Sequence, residues 1–222
     1  MDRLIAISDI HGCFDAFYEL VINRIGLSRN DKLVLLGDYI DRGDKIRELI
    51  DFIIELRSGG YNVIPLIGNH EAMLLESYHN PAMQPFWFIN NGASTLQSFR
   101  LEDVTQLDSK YLVFFINLEY FHTDGKFIFV HAGFNNSASD PFSDKENMLW
   151  DCYENYTNPI LRDHIIIHGH RPKKLEYVRN KIATASPVIP IDTGCVYGSA
   201  SGYGFLSALI VNNMQLISVA GE

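Results

Sequence analysis

The first seventy residues repeat one pattern three times: an apolar run, a short polar cluster, then a segment with helical spacing. Leu4–Ser8 reads as a buried strand that ends in Asp9-Ile10-His11-Gly12. Cys13–Ile25 follows, with Phe14, Phe17, Leu20, Val21 and Ile25 at helical intervals. Lys32–Leu36 is the second strand and closes on Gly37-Asp38-Tyr39-Ile40-Asp41-Arg42-Gly43. Lys45–Ser58 is the second helix, with Ile46, Leu49, Ile50, Ile53 and Ile54 on one face. Val63–Ile67 is the third strand, Gly68-Asn69-His70-Glu71 its cluster, and His70–Ser77 opens a third helix. Alternation of this kind implies parallel strands joined by helical crossovers.

From about Pro81 the texture changes. Pro81 and Pro85 flank an aromatic patch, Phe86-Trp87-Phe88, expected to be core rather than a ligand platform. Asn90-Asn91-Gly92 signals a turn before a short helix, Ala93–Phe99, and the stretch 72–112 reads as a helical insertion over one end of the sheet. Glu119–His122 and Lys126–Val130 around Asp124-Gly125 predict a hairpin. Ile165–Ile167, Val188–Ile191, Phe205–Val211 and Gln215–Val219 are further strands, the last two joined at Asn212-Asn213. A hairpin-rich half added to a parallel half predicts an α/β chain of two sheets packed together between helical layers.

Every polar cluster of the first half falls where a strand ends. Ligands of open α/β sheets bind at the carboxyl ends of strands, so these loops converge in space. Asp9 and His11 are two apart, and an extended backbone points both to one side. Asp38 ends the second strand and its two oxygens can bridge two ions; Asn69 ends the third and offers an amide oxygen. His131-Ala132-Gly133 follows a later strand, and His168-Gly169-His170 offers two candidates after another. Two divalent ions held by Asp9, Asp38, Asn69 and three neutral imidazoles leave a site charge near +2. Such a pair, roughly 3.5–4 Å apart, orients a phosphate ester, polarises its oxygens and delivers a bridging hydroxide for in-line attack. Mixed oxygen and nitrogen donors suit Mn²⁺ and Fe²⁺ and admit Zn²⁺, and donor type does not choose among them; Mn²⁺ is the expectation.

The composition is compatible with such a substrate and argues against others. Lys and Arg number 18 against 27 Asp and Glu, a formal charge of −9, and no basic stripe appears to grip long nucleic acid. An anionic substrate is not excluded, because exposed charges beyond about 10 Å are largely screened. The three cysteines, Cys13, Cys152 and Cys195, have no Cys-x-x-Cys spacing and suit a reducing compartment. The apolar run Leu4–Ile7 is too short for a signal-peptide core, and nothing approaches the roughly 18 residues of a membrane span. A soluble, cytoplasmic protein with no membrane partner is the expectation.

The ordered motifs Asp9-Ile10-His11, Gly37-Asp38-Tyr39-Ile40-Asp41-Arg42-Gly43, Gly68-Asn69-His70-Glu71, His131 and Gly169-His170-Arg171-Pro172 resemble those of the calcineurin-like metallophosphoesterases. Within that family they look most like the phosphoprotein phosphatase branch, in its bacteriophage lambda type. The similarity runs from Leu4 to Glu222 and includes Trp87, Asn91-Gly92, Trp150 and Asp192-Thr193-Gly194. It implies a four-layer αββα sandwich, two mixed sheets flanked by helices, as a single catalytic domain over 1–222 with 72–112 inserted within it. It further implies that Asp9, His11 and Asp38 bind one metal, and that Asp38, Asn69, His131 and His170 bind the other. His70 would be the general acid, oriented by Asp41, and Arg42 and Asn69 would face the substrate. His170 is preferred over His168 because it precedes Arg171-Pro172, as in the family's Gly-His-x-Pro.

One position departs from the pattern. Lambda-type relatives carry a second phosphate-binding arginine in a Trp-x-Arg, whereas this chain reads Trp150-Asp151-Cys152. Arg171 or Arg162 is the candidate replacement. The reading that follows is hydrolysis of phosphoserine or phosphothreonine in proteins, or of a small phosphate ester. The alternatives are symmetrical hydrolysis of a dinucleoside polyphosphate such as diadenosine tetraphosphate, and a catalytically silent metal-binding module.

Overall fold

The first strand, β1 (Leu4–Ile7), is buried along its whole length and lies between two unlike neighbours. On one side β2 (Lys32–Leu35) and β3 (Asn62–Pro65) continue the sheet in parallel; on the other, β8 (Phe205–Ile210) and β9 (Gln215–Ala220) run antiparallel. The computed structural model describes residues 2–198 and 202–221, so Met1 and Glu222 lie outside it. A second sheet has the order β4 (Phe121–Asp124), β5 (Phe127–Val130), β6 (Ile165–His168), β7 (Val188–Pro190). Its first pair is an antiparallel hairpin with Asp124 opposite Phe127, and the rest is parallel.

Strand residues alternate between two faces, and both faces are covered. Ala6, Val34, Leu36 and Leu209 of the first sheet meet Phe129, Ile167, Ile189 and Ile191 of the second in one apolar cluster. Val178 of α8 (Leu175–Ala183) joins that cluster beside β7. Ile5, Ile7, Leu33 and Leu35 turn the other way, under α1 (Phe14–Tyr18) and α2 (Ile46–Ser58). The outer face of the second sheet places Ile128, Val130 and Ile166 against Phe134, Leu161 and Met148, the last from α7 (Lys145–Trp150). The architecture is therefore two mixed sheets flanked by helices, as expected, with a thin fourth layer built largely from loops.

Several boundaries differ from the sequence reading for physical reasons. The segment 13–25 is not one α-helix: after Tyr18 it widens into a π-helical turn, Glu19–Arg24, where the Ile25 amide reaches back to the Leu20 carbonyl (2.9 Å). The apolar face survives the change, with Phe17, Leu20 and Val21 all buried. The helical stretch after β3 runs past 112 to Ile116, through α3 (Asn69–His79), α4 (Gln84–Ile89), α5 (Gly92–Phe99) and α6 (Ser109–Ile116). Trp87, Phe99, Tyr111 and Phe115 of this stretch pack in the same cluster as Ile5 and Ile7 of β1. Only Trp87 of the aromatic patch is core; Phe86 and Phe88 are exposed, because a helix cannot bury three consecutive side chains on one face. Among the described residues, no helix is long and apolar enough to cross a membrane.

Candidate metal centre

The loops that leave β1, β2, β3, β5 and β6 meet at one end of the two sheets, and each delivers one to three polar side chains. His131, just past β5, fixes the geometry between the sheets. Its Nδ1 donates to the Leu36 carbonyl (2.8 Å), which leaves the Nε2 lone pair facing Asn69 Oδ1 (3.0 Å) and His170 Nδ1 (3.1 Å). Asp38 Oδ1 lies 3.5 Å from the same Nε2. His11 repeats the device: Nδ1 donates to the Ile40 carbonyl (2.7 Å), and Nε2 faces Asp38 Oδ2 (3.5 Å). Two groups result, His11-Asp38-His70 and Asp38-His131-His170, and Asp38 belongs to both.

Asp9 belongs to neither group as its side chain stands. Its carboxylate accepts the His170 amide (3.0 Å to each oxygen) and the Ser8 hydroxyl. Gly169 makes that approach possible, since a Cβ there would run into the Asp9 carboxylate and the Ser8 hydroxyl. His168 points elsewhere: its Nδ1 contacts the Gly169 carbonyl (3.0 Å) and the Cys152 thiol (3.6 Å). His170, at φ +70, has left the strand geometry and turned its ring toward His131 and Asn69.

His70 and Asp41 form a buried pair, His70 Nδ1 to Asp41 Oδ2 at 2.6 Å. Nε2 of His70 is 3.1 Å from Nη2 of Arg42, whose Nη1 reaches His11 Nε2 at 2.5 Å. Burial lowers the His70 value, but the Asp38 charge and the Asp41 hydrogen bond outweigh it, so the ring is held above its ordinary pKa. The other imidazoles are driven the opposite way. Burial, helped by the charges of His70 and Arg42, holds His11 well below the usual range. Burial and neighbouring His131 push His170 down to about 2. Burial also raises Asp38 well above an ordinary carboxylic acid.

These features test whether the donor set fits metal ions. A buried carboxylate, an amide oxygen and neutral imidazoles bring acceptor atoms face to face with few donors between them, an arrangement that favours a divalent cation. The residues present fit such ions.

Of the candidate substitutes for the missing arginine, Arg162 lies apart on an exposed turn beside Asp163 (3.7 Å). Arg171 is exposed, with its charge close enough to act on both Cys152 and His170. The Cys152 thiol is pushed up to about 12 by burial, so it offers no anionic or cationic group.

Sequence reasoning assigns no role to four residues that support the site. Glu71 accepts the amides of Asp38 (2.9 Å), Tyr39 (2.8 Å), Ile40 (3.2 Å) and Gly68 (2.9 Å), and so pins the loop after β2 to the start of α3. Trp87 and Thr95 both bond Asp41, and Trp150 sets its ring edge-on to His170, centroids 6.0 Å apart. Glu71 is visible as the last residue of Gly-Asn-His-Glu. Trp87 and Trp150 are visible only as part of the family resemblance, with no role attached, and Thr95 has no local signal, because its partner Asp41 lies 54 residues away in the chain.

The profile of the calcineurin-like phosphoesterases matches residues 2–197, and the chain belongs to that family. It is 26% identical over 226 residues to the bis(5'-nucleosyl)-tetraphosphatase PrpE [asymmetrical] of Bacillus velezensis, covering 90% of this chain and 87% of that one. It is also 26% identical over 208 residues to serine/threonine-protein phosphatase 2 of Salmonella typhimurium, covering 85% of each. A crystal structure of a cold-active protein-tyrosine phosphatase from a Shewanella species superposes with a TM-score of 0.64 at 17% identity, over 99% of this chain and 78% of that one. The chain is thus a metallophosphoesterase-family hydrolase.

Proposed function

We propose that this chain hydrolyses phosphate monoesters with poor leaving groups, phosphoserine and phosphothreonine in proteins among them, with His70 as the acid. The observation that carries the reading is the orientation of His70. Nδ1 is held by Asp41, so Nε2 is the nitrogen turned to the open centre, next to Arg42. Asp9, His11 and Asp38 would hold one divalent ion, and Asp38, Asn69, His131 and His170 the other; Mn²⁺ suits this donor set. When bound, such ions supply a water-derived nucleophile and draw charge from the phosphate oxygens. Arg42 holds the non-bridging oxygens through its planar fork. As the ester bond breaks, its electron pair stays on the leaving oxygen, which takes the Nε2 proton; Asp41 keeps the imidazole in place. Protonation of this kind contributes on the order of 10²–10⁴ in rate.

The second reading is cleavage of a dinucleoside tetraphosphate. It is favoured by the tetraphosphatase relative and by Cys152, which leaves Arg42 without the second guanidinium expected for a terminal dianion. A Mn²⁺-supplemented panel separates the two: an aryl phosphate, phosphoserine and phosphothreonine peptides, and diadenosine tetraphosphate. Release of nucleotides from the last with little phosphate from the peptides would replace the first reading by the second. Activity that survives chelation would remove the metal mechanism from both.

A further inference from the structure

Asp41 is more firmly held than a partner for one histidine requires. Its Oδ2 accepts from both His70 Nδ1 (2.6 Å) and the indole Nε1 of Trp87 (2.8 Å). Its Oδ1 accepts from the Thr95 hydroxyl (2.5 Å), and its own amide donates back to that hydroxyl (3.0 Å). All four residues are buried, and Asp41 itself sits at φ +66, a conformation that needs support from its surroundings. Trp87 comes from α4 and Thr95 from α5, and neither helix contributes a metal-ligand candidate. The two helices are set against each other at Gly92, where a Cβ would drive into the Trp87 ring. Nothing in the packing of an apolar core demands that an indole N–H and a threonine hydroxyl converge on one carboxylate.

We propose that Trp87 and Thr95 are positioning residues for leaving-group protonation: they lock both oxygens of Asp41 so that Asp41 fixes the ring plane of His70, and with it the direction of Nε2–H. This rests on the reading of His70 as the acid. With Oδ1 and Oδ2 both engaged, the carboxylate cannot rotate about its Cβ–Cγ bond without breaking a buried hydrogen bond. The imidazole then stays aimed at the site where the leaving oxygen departs. Without these bonds the acid is still present but samples orientations from which the proton does not transfer.

The test is the dependence of the rate on the leaving group. Trp87→Phe, Thr95→Val, Thr95→Ser and His70→Asn are each assayed with Mn²⁺ on a phosphoserine peptide and on 2,4-dinitrophenyl phosphate, whose phenolate departs unprotonated. Thermal unfolding is followed alongside, to separate lost activity from lost fold. Thr95→Val and Trp87→Phe are expected to lower kcat on the peptide by about tenfold or more, with KM unchanged and the dinitrophenyl ester within about twofold. Thr95→Ser, which keeps the hydroxyl, recovers most of the peptide rate. His70→Asn loses more on the peptide than either, and adding Trp87→Phe to it costs nothing further, because the acid they position is already gone. If His70→Asn shows the selective loss while Trp87→Phe and Thr95→Val slow both esters alike, or neither, the positioning role is wrong and the acid assignment stands. If His70→Asn slows both esters equally, the acid assignment fails and takes the inference with it.

Discussion

His11, Asp38, Asp41, Arg42 and His170 all adopt positive φ, between 47° and 72°. Side chains with a Cβ avoid this region, at roughly 1–3 kcal/mol each, so five such residues within one constellation represent strain that the surrounding bonds must offset. The strain serves geometry. At φ +54, Asp38 turns one carboxylate oxygen toward His11 and the other toward His131, which an extended strand end would not do. Asp38→Asn keeps the shape and removes the shared charge. Bound Mn²⁺, measured by elemental analysis after gel filtration, should fall from about two ions per chain to one or none. Retention of both ions would show that Asp38 does not bridge. Gly169→Ala should act similarly through Asp9, lowering Mn²⁺ affinity by about tenfold or more in calorimetric titration, in the range seen for residues that orient ligands.

The elements are tied to one another by a few buried polar hubs. Glu71 in the first turn of α3 takes four amides from two loops. Hydrogen bonds to a charged group contribute about 1.5–3 kcal/mol each when they replace water, and a Gln amide would turn a donor toward some of these N–H groups. Glu71→Gln should therefore lower stability by about 2–4 kcal/mol in urea melts, and Mn²⁺ binding should weaken with it. Unchanged stability would mean that the loop after β2 holds itself. The start of β1 is held by a different pair. Arg3 grips the buried Asp31 through Nε–Oδ1 (2.9 Å) and Nη2–Oδ2 (2.6 Å), and this holds the carboxyl well below the usual carboxylate range. A folded-state value below the unfolded one, about 3.9, makes the pair stabilising above about pH 5. That contribution is lost as pH falls through the folded value. Asp31→Asn should cost about 1–2 kcal/mol near pH 7, less than a fully buried pair because Arg3 is one-third exposed. The difference from the parent should shrink as the pH is lowered below about 4. A difference that stays constant with pH would point to lost packing rather than a lost charge.

Across the whole molecule, the candidate centre is also a clasp between the two sheets. Asp9, His11, Asp38 and Asn69 come from loops of the first sheet, and His131 and His170 from loops of the second. A ligand that binds only the folded state stabilises it by mass action, by about 2.7 kcal/mol at a hundredfold excess over Kd. Mn²⁺ should therefore raise the unfolding temperature of the whole chain in one transition, and EDTA should reverse the shift. A transition that splits in two, with only one part responding to metal, would show that the ions do not bridge the sheets.

Much of this arrangement is legible in the amino-acid sequence. The strands of the first half, their parallel pairing and the six ligand candidates follow from apolar runs of four or five residues ending in polar clusters. The period of such runs and the position of a polar cluster are local properties, carried by neighbouring residues. The helices α7 and α8 and the exposure of Phe86 and Phe88 escape that reading, although α8 carries Leu175, Val178 and Ile182 at helical spacing. The sheet order is not readable either, because β8 reaches β1 from two hundred residues away.

By itself, then, the chain's sequence determined which chemical groups stand at strand ends: carboxylates, an amide, imidazoles and one guanidinium. Only the tertiary structure decided which atoms of those groups face one another. His168 and His170 share one side of an extended backbone, and in the sequence only the resemblance to Gly-His-x-Pro favours His170; φ +70 at His170 supplies the physical reason, by swinging its ring into the centre while His168 stays against Cys152. Asp41 likewise meets Trp87 and Thr95 across 46 and 54 residues. Such contacts form only when packing brings distant segments together, so they leave no periodic trace in the residues around them.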